Sequence, residues 1–497
     1  MNNLMPQEHT TYISMCRKEK RMAEILEFQS DFDYNKQLFS TFFSNQSDYG
    51  HRDVYITELS KNCTLCFLKS RTDFATLMQF MNKLEKVTPS LFQSSSEEEV
   101  ILHTLETLSY QSTFSFDDAI SFIFEGKSVL ILENHAQVFI LDTANTIKRS
   151  IEDSSSEKVI RGPKLAFIES IKDNIGILRQ LTRDQNIIVK DHKLNVQSNE
   201  KLVQYVYNQK LIKDELLEEL ESRLSKIKTS NLEDSGMLEE LIEDHPMSPF
   251  PQIQNTERPD RVIAALNEGR VALFIDGSPF ALIVPSTFDM LLQSPDDYYE
   301  RWIAGSFLRV LRYLSILITL FLSAFYISLV SFSQGLLPTE LAITISGTRQ
   351  NVPFPPFIEA IIMEITIELL REAGIRLPTP LGQTIGLVGG VIIGQAAVEA
   401  NLVSSLMVII IALTTITSFT VPQYSFGLSF RMLRFVAMIS AAIFGLFGTV
   451  CFFIWMSIHL SNLKSFGTTY FSLQFSYSRK KFLDLFFRLP KRIRSAQ

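Results

Sequence analysis

Residues 313–332 read YLSILITLFLSAFYISLVSF, a run without a single charge. As a helix rising about 1.5 Å per residue, such a run matches the roughly 30 Å hydrocarbon core of a bilayer. Two further uncharged stretches, 402–430 and 435–463, are long enough to cross with room for tilt or a flanking loop. Residues 1–300, in contrast, have the mixed charge and polarity of a soluble protein. At 497 residues the chain is too long for one compact domain. These features predict a membrane protein of mixed class. A cytoplasmic α/β N-terminal region of two related subdomains is followed by an α-helical transmembrane domain.

The N-terminus, MNNLMPQEHTTYISMCRKEKR, has no apolar core of signal-peptide type, so the soluble part is expected to stay in the cytoplasm. Arg301, Arg309 and Arg312 precede the first span. Arg479, Lys480, Lys481, Arg488, Lys491, Arg492 and Arg494 crowd the tail against one acid, Asp484. Positive flanks stay inside, so both termini are expected in the cytoplasm and the number of crossings even. Spans at 313–332, 383–400, 402–421 and 435–457 give four crossings, with 357–372 outside, interfacial or re-entrant. If 357–372 also crosses, another segment does not, or the tail lies outside.

The expected organisation is an extension over 1–95, α/β subdomains over 96–200 and 201–300, a transmembrane domain over 301–463 and a basic tail over 464–497. Residues 50–92 read as helical. The two subdomains rest on an internal similarity. AISFIFEGKSVLILENHAQVFIL (119–141) and IAALNEGRVALFIDGSPFALIV (263–284) each run from a helix end through Glu-Gly-Lys or Glu-Gly-Arg into a strand, a turn and a second strand. Gly126 and Gly269 fit helix C-caps, and Asn134-His135 and Asp276-Gly277 fit hairpin turns. A helical stretch near 200–245 is expected to join the units, and the charged run 210–228 reads as a solvated amphipathic helix.

Nothing in the chain forms a catalytic set. There is no nucleophile with a base, no metal-ligand spacing and no glycine-rich nucleotide loop, so no cofactor is expected. Gly126-Lys127-Ser128 is not a P-loop, because Ser121 stands where that motif needs glycine. Cys63 and Cys66 make a lone CxxC without a second pair, which reads as free thiols in a reducing compartment. The acidic balance, 54 acids against 47 bases, argues against nucleic acid.

Residues 377–398, LPTPLGQTIGLVGGVIIGQAAV, read as a helix with two unlike sides. Gly382, Gly386, Gly390 and Gly394 recur every fourth residue and form a ridge on which another helix packs closely. The other side carries Thr384, Val388, Val391, Gln395 and Glu399. Two readings fit: a pore-lining helix, or a buried bundle helix with satisfied polar groups. In 353–376, Glu364, Glu368 and Glu372 fall four apart, with Arg371 able to pair with one of them. They read as a cation-attracting vestibule, or as an interfacial face turned to solvent or to Arg371.

Several strings occur together in one order. They are Arg161-Gly162-Pro163, Ser248-Pro249-Phe250-Pro251-Gln252, Thr256-Glu257-Arg258-Pro259-Asp260 and Ser294-Pro295-Asp296-Asp297-Tyr298-Tyr299. Then come Val352-Pro353-Phe354-Pro355, Arg371-Glu372-Ala373-Gly374, Arg376-Leu377-Pro378, the Gly386–Gln395 segment and Ser465-Phe466-Gly467. From about residue 100 to 475 the chain resembles the A subunit of the GerA-type nutrient germinant receptors of endospore-forming bacteria. Residues 1–95 match that pattern poorly. The resemblance implies a multi-pass protein of the spore inner membrane, surrounded by membrane lipid. It implies partners: a transporter-like, nutrient-binding B subunit and a lipoprotein C subunit. It also implies a homo-oligomeric ring acting as a nutrient-gated channel that releases monovalent cations to start germination.

The residues on their own leave two functions open. One is an oligomeric channel subunit with its pore along Gly382–Glu399. The other is a membrane-anchored signalling scaffold whose soluble subdomains bind a ligand or partner without a pore. On their own, the proline-rich strings at 248–260 read as extended linkers.

Overall fold

A computed structural model describes residues 27–56, 60–85, 110–145, 157, 159–195, 200–227 and 232–471, with residues 379–388 described as helix backbone only. Packing divides it into two compact units. One is bounded by Met1–Ser150, Ile168–His192 and Leu202–Lys210, the other by Ile151–Phe167, Lys193–Lys201 and Leu211–Gln497. Residues 211–300 pack in the same unit as the long apolar helices.

The first unit opens with α1 (Phe32–Phe42), capped by the Asp31 carboxylate, then β1 (Tyr49–Ile56), β2 (Lys61–Leu68) and α2 (Phe74–Glu85). Next come β3 (Tyr110–Thr113), α3 (Phe116–Glu125), β4 (Ser128–Leu132) and β5 (Val138–Leu141). The sheet order β1-β2-β4-β5-β3 is antiparallel at every step. Residues 49–68, inside the stretch expected to be a helical extension, therefore supply two sheet strands. The continuous apolar run CTLCFL hid the alternation that marks a half-buried strand, because helices cover both faces of this sheet. On one face α2 sends Leu77, Phe80 and Leu84 against Leu65, Leu130 and Leu132. On the other, α1 and α3 send Phe39, Phe43, Ile120 and Phe124 against Leu68, Val129 and Ile131.

Because side chains alternate along a strand, Cys63 belongs to the first of these cores and Cys66 to the second. Their thiols are on opposite sides of the sheet, where no single ion or disulfide joins them. The remainder of this unit is α4 (Ile171–Leu181) and most of β6 (Ile187–Asn195) and β7 (Glu200–Asn208). The strand at 200–208 replaces the start of the expected helical connection. The fully buried Arg179 of α4 donates to the Gln46 Oε1 at 2.7 Å and to the Ile187 carbonyl at 2.9 Å.

The second unit contains α5 (Asp214–Lys226), α6 (Ser235–Ile242), β8 (Gln254–Thr256), α7 (Pro259–Asn267), β9 (Val271–Ile275) and β10 (Ala281–Val284). Along the charged run, Leu216, Leu220 and Leu224 turn inward while Arg223 pairs with Glu219 one turn back. Strand β10 pairs antiparallel with β9 and with β8. The sequence α7–β9–β10 repeats α3–β4–β5, with Gly126 at φ 100° and Gly269 at φ 79° closing the two helices. Asn134 (φ 63°) and Gly277 (φ 93°) turn the two hairpins in the left-handed region.

Two short helices, α8 (Phe288–Leu292) and α9 (Asp296–Tyr299), lead into α10 (Trp302–Ser331). Then come α11 (Thr339–Arg349), α12 (Pro356–Arg376), α13 (Thr379–Glu399), α14 (Ser405–Ser418) and α15 (Tyr424–Asn462), ending in a small hairpin of β11 (Lys464–Ser465) and β12 (Thr468–Thr469). Helices α10, α12, α14 and α15 surround a core of Leu320, Ala324, Met363, Ile411, Phe430 and Met438.

Among the described residues, α10 and α15 are long and apolar enough to cross a membrane. The expected span 402–421 is realised as the 14-residue α14, only about 21 Å long and short of a roughly 30 Å core. Ser404 caps its start and Pro422 follows its end. Helix α15 is broken at Gly445, where φ is 59° and ψ is −139°. A Cβ at Gly445 would lie 2.9 Å from the Phe332 side chain, and one at Gly448 only 2.1 Å from the Ser440 carbonyl oxygen. The kink thus needs glycine at both positions, packed on the Phe332 side chain at Gly445 and on helix backbone at Gly448. From residue 472 onward the basic tail lies outside the described residues.

Candidate functional site

Three of the strings singled out in the sequence converge ahead of α10. Arg258 is 1% exposed, and its guanidinium grips Asp260 with two hydrogen bonds, Nε to Oδ1 at 3.0 Å and Nη2 to Oδ2 at 2.8 Å. Nη2 also donates to the Pro163 carbonyl at 3.0 Å. The Tyr299 hydroxyl donates to Asp260 Oδ2 at 2.6 Å. Burial, and then the neighbouring Asp260 carboxylate, push that phenol up to about 12. Gly162 (φ 132°) lies under the Tyr299 ring, which a Cβ would approach to 2.7 Å.

The next residue pair to matter is Asp297 with α10. The fully buried Asp297 carboxylate accepts from Arg312 Nη1 and Nη2, both at 2.6 Å, and from Arg309 Nε at 3.3 Å. Gly305 permits this approach, since a Cβ there would meet the Asp297 carbonyl oxygen at 2.7 Å. Arg309 and Arg312, the positive residues that precede the first span, are buried, and both share the single Asp297 carboxylate.

The Ser248–Gln252 string is a clasp. The Gln252 carbonyl accepts from Ser286 and Ser465 hydroxyls, each at 2.7 Å, and the Pro251 carbonyl accepts from the Tyr470 hydroxyl at 2.8 Å. The Pro249 carbonyl accepts from Ser429, and Ser248 Oγ lies 2.9 Å from His459 Nε2. The string is read from sequence as an extended linker, but residues 248–250 and 252–253 are bends. Its carbonyls hold the start of α15 and the chain around the β11–β12 hairpin, and the Ser248 hydroxyl meets the end of α15.

Deeper in the helices, Glu364 of α12 is 0% exposed. Its Oε1 faces the Thr414 and Ser323 hydroxyls at 3.3 and 3.4 Å, and its Oε2 lies 2.5 Å from Arg434 Nη2. Glu368 accepts from Arg371 at 3.0 Å and lies 3.5 Å from Arg431 Nε. Glu372 is exposed and pairs with Arg376. The three acids thus run from the interior to the surface of the helical unit. Nearby, Glu359 pairs with Arg349 at 2.9 Å and accepts from the Ser404 amide at 2.9 Å.

Arg431, Arg434, Glu359 and Asp297 were not singled out as site residues in the sequence. The signal was available: Arg431 and Arg434 are the charges that interrupt the apolar stretch 402–463. Charges at membrane depth pair with one another or face water.

Of the expected pore face on α13, Val391 is 61% exposed, and Gln395 and Glu399 are exposed with Gln395 Nε2 donating to Glu399 Oε1 at 2.8 Å. The side chains of Thr384 and Val388, and the ridge positions Gly382 and Gly386, lie outside the described side chains. The ridge is used unevenly. A Cβ added at Gly390 would meet nothing within 4 Å, one at Gly394 would lie 3.6 Å from the Val408 side chain, and one at the neighbouring Gly389 3.1 Å from the Leu370 side chain of α12.

The family model described as Bacillus/Clostridium GerA spore germination protein matches residues 37–496. The chain belongs to this family of spore germination proteins. Spore germination protein A1 of Bacillus subtilis is 54% identical over 369 residues, 74% of this chain and 76% of that one. Spore germination protein GerLA of Bacillus cereus is 38% identical over 476 residues, 95% of each. Among solved structures, the N-terminal domain of the A subunit of the Bacillus megaterium germinant receptor GerK3 aligns with 53% of this chain and 98% of its own at a TM-score of 0.42 and 25% identity.

Proposed function

We propose that the chain is the A subunit of a nutrient germinant receptor, a multi-pass protein of the spore inner membrane with both termini cytoplasmic. Several copies form a ring, and α13 lines a cation pathway at its centre. A transporter-like B subunit senses the nutrient and a lipoprotein C subunit completes the complex. Family membership supports the germination role. The observation that carries the channel reading is the placement of charge and apolar surface in the helical unit. Most of its described ionic groups are turned inward onto one another, with Glu340, Glu372, Arg376 and Glu399 exposed, and on α13 Val391, Gln395 and Glu399 stay exposed together on a single copy. An exposed apolar ring of Val391 with polar Gln395 and Glu399 a turn or two away suits a constriction with a cation-attracting mouth.

In this reading the Arg258–Asp260–Tyr299 and Asp297–Arg312 contacts couple the α/β part of the second unit to α10. The test is efflux from potassium-loaded vesicles containing the A, B and C subunits. Nutrient is expected to release potassium, and Glu399→Gln to slow that release. Nutrient-dependent germination in spores with no potassium efflux from intact receptor would support the scaffold function in its place.

A further inference from the structure

Arg371, Arg431 and Arg434 form a group of three guanidiniums whose side chains are 7%, 5% and 1% exposed. Facing them are two carboxylates, Glu364 and Glu368. Arg349 and Glu359 form a separate pair. The group therefore holds three positive charges against two negative ones, an excess of one.

The donors tell the same story. Arg371 Nε, Arg431 Nε and Nη2, and Arg434 Nε, Nη1 and Nη2 are buried and make no hydrogen bond among the described residues, six donors against one similarly unmatched acceptor in the group, Glu364 Oε2. Arg434 Nη2 comes within 2.5 Å of Glu364 Oε2 without the alignment of a hydrogen bond. Rings cap two of the cations from outside: Phe419 lies 4.7 Å from the Arg371 guanidinium carbon and Tyr424 5.2 Å from that of Arg431. An unpaired buried charge is among the costliest features a fold can carry, and so is a buried N–H without an acceptor. Planar guanidiniums suit small oxyanions and halides, which accept several N–H groups at once.

We propose that the Arg371–Arg431–Arg434 group binds one small monovalent anion, a halide or a short carboxylate, inside the helical bundle. One negative charge balances the excess, and its lone pairs supply acceptors for the unmatched donors. A multivalent anion does not fit an excess of one charge.

The experiment uses the purified full-length protein in detergent at constant ionic strength, with sodium gluconate replaced stepwise by sodium chloride or by sodium formate. The melting midpoint is read at each step. A bound anion raises it with the logarithm of anion concentration, by mass action. The expected result is such a rise with chloride, formate or both, and none on adding further gluconate. Whichever of the two acts at lower concentration identifies the class. Arg431→Gln leaves two guanidiniums for two carboxylates and is expected to abolish the rise while the protein still melts cooperatively. Glu368→Gln enlarges the excess and is expected to shift the rise to lower anion concentration. No anion-dependent rise in the unsubstituted protein would overturn the proposal. An equal rise in Arg431→Gln would overturn it too, because the anion would then act elsewhere.

Discussion

Asp297 and Arg312 face each other in a fork-to-fork pair, each carboxylate oxygen meeting one terminal guanidinium nitrogen at 2.6 Å, and Arg312 Nη1 also holds the Leu292 carbonyl at 3.1 Å. The pair fixes the angle at which the chain enters α10. Removing one partner strands the other charge in the interior, which costs about 3–5 kcal/mol. Asp297→Ala is therefore expected to lower the melting midpoint of the purified protein sharply. The exposed Glu372–Arg376 pair is the comparison, since a surface pair contributes at most about 1 kcal/mol. Equal melting of Asp297→Ala and Glu372→Ala would show that the buried pair has no special weight.

Glu364 and Arg434 make a sharper test, because replacing both differs from replacing one. Glu364→Leu leaves Arg434 without its nearest carboxylate and is expected to destabilise by about 3 kcal/mol or more. The double replacement Glu364→Leu with Arg434→Met restores an apolar match and is expected to recover most of that loss. A double variant as unstable as the sum of the two single ones would mean that the residues do not interact.

A carboxylate outside the apolar helices gives a pH dependence. Burial, and then the neighbouring Glu243, push the Glu239 carboxyl of α6 up to about 8 from its ordinary 4.5. Between these values the folded chain keeps a proton that the unfolded chain releases, so folding stability falls as pH rises through that window. Glu239→Gln, which stays neutral, is expected to flatten that decline. Melting at pH values on either side of the window checks it, and parallel pH curves for both proteins would refute it.

The repeated helix–glycine–strand–turn–strand unit was legible because it rests on local chemistry: Gly126, Asn134, Gly269 and Gly277 stand at positions that need positive φ. The strands at 49–68 were not, because burial on both faces erased their alternation. The candidate site divides along the same line. Glu364, Glu368 and Glu372 share one spacing that predicts one helix face. Their different surroundings come from α10, α14 and α15, which supply Ser323, Thr414 and Arg434. No local pattern around residue 364 announces an arginine seventy positions later. Likewise, Arg309 and Arg312 read as a membrane flank until the fold brought Asp297 beneath them.

The pathway along α13 is tested most directly by single-channel recording in planar bilayers from the assembled A, B and C subunits, with and without nutrient. Val391→Ala widens the proposed constriction and is expected to give openings without nutrient. Glu399→Gln is expected to lower the cation current through open channels. Nutrient-gated currents with conductance and gating unchanged in both variants would contradict a pore lined by α13.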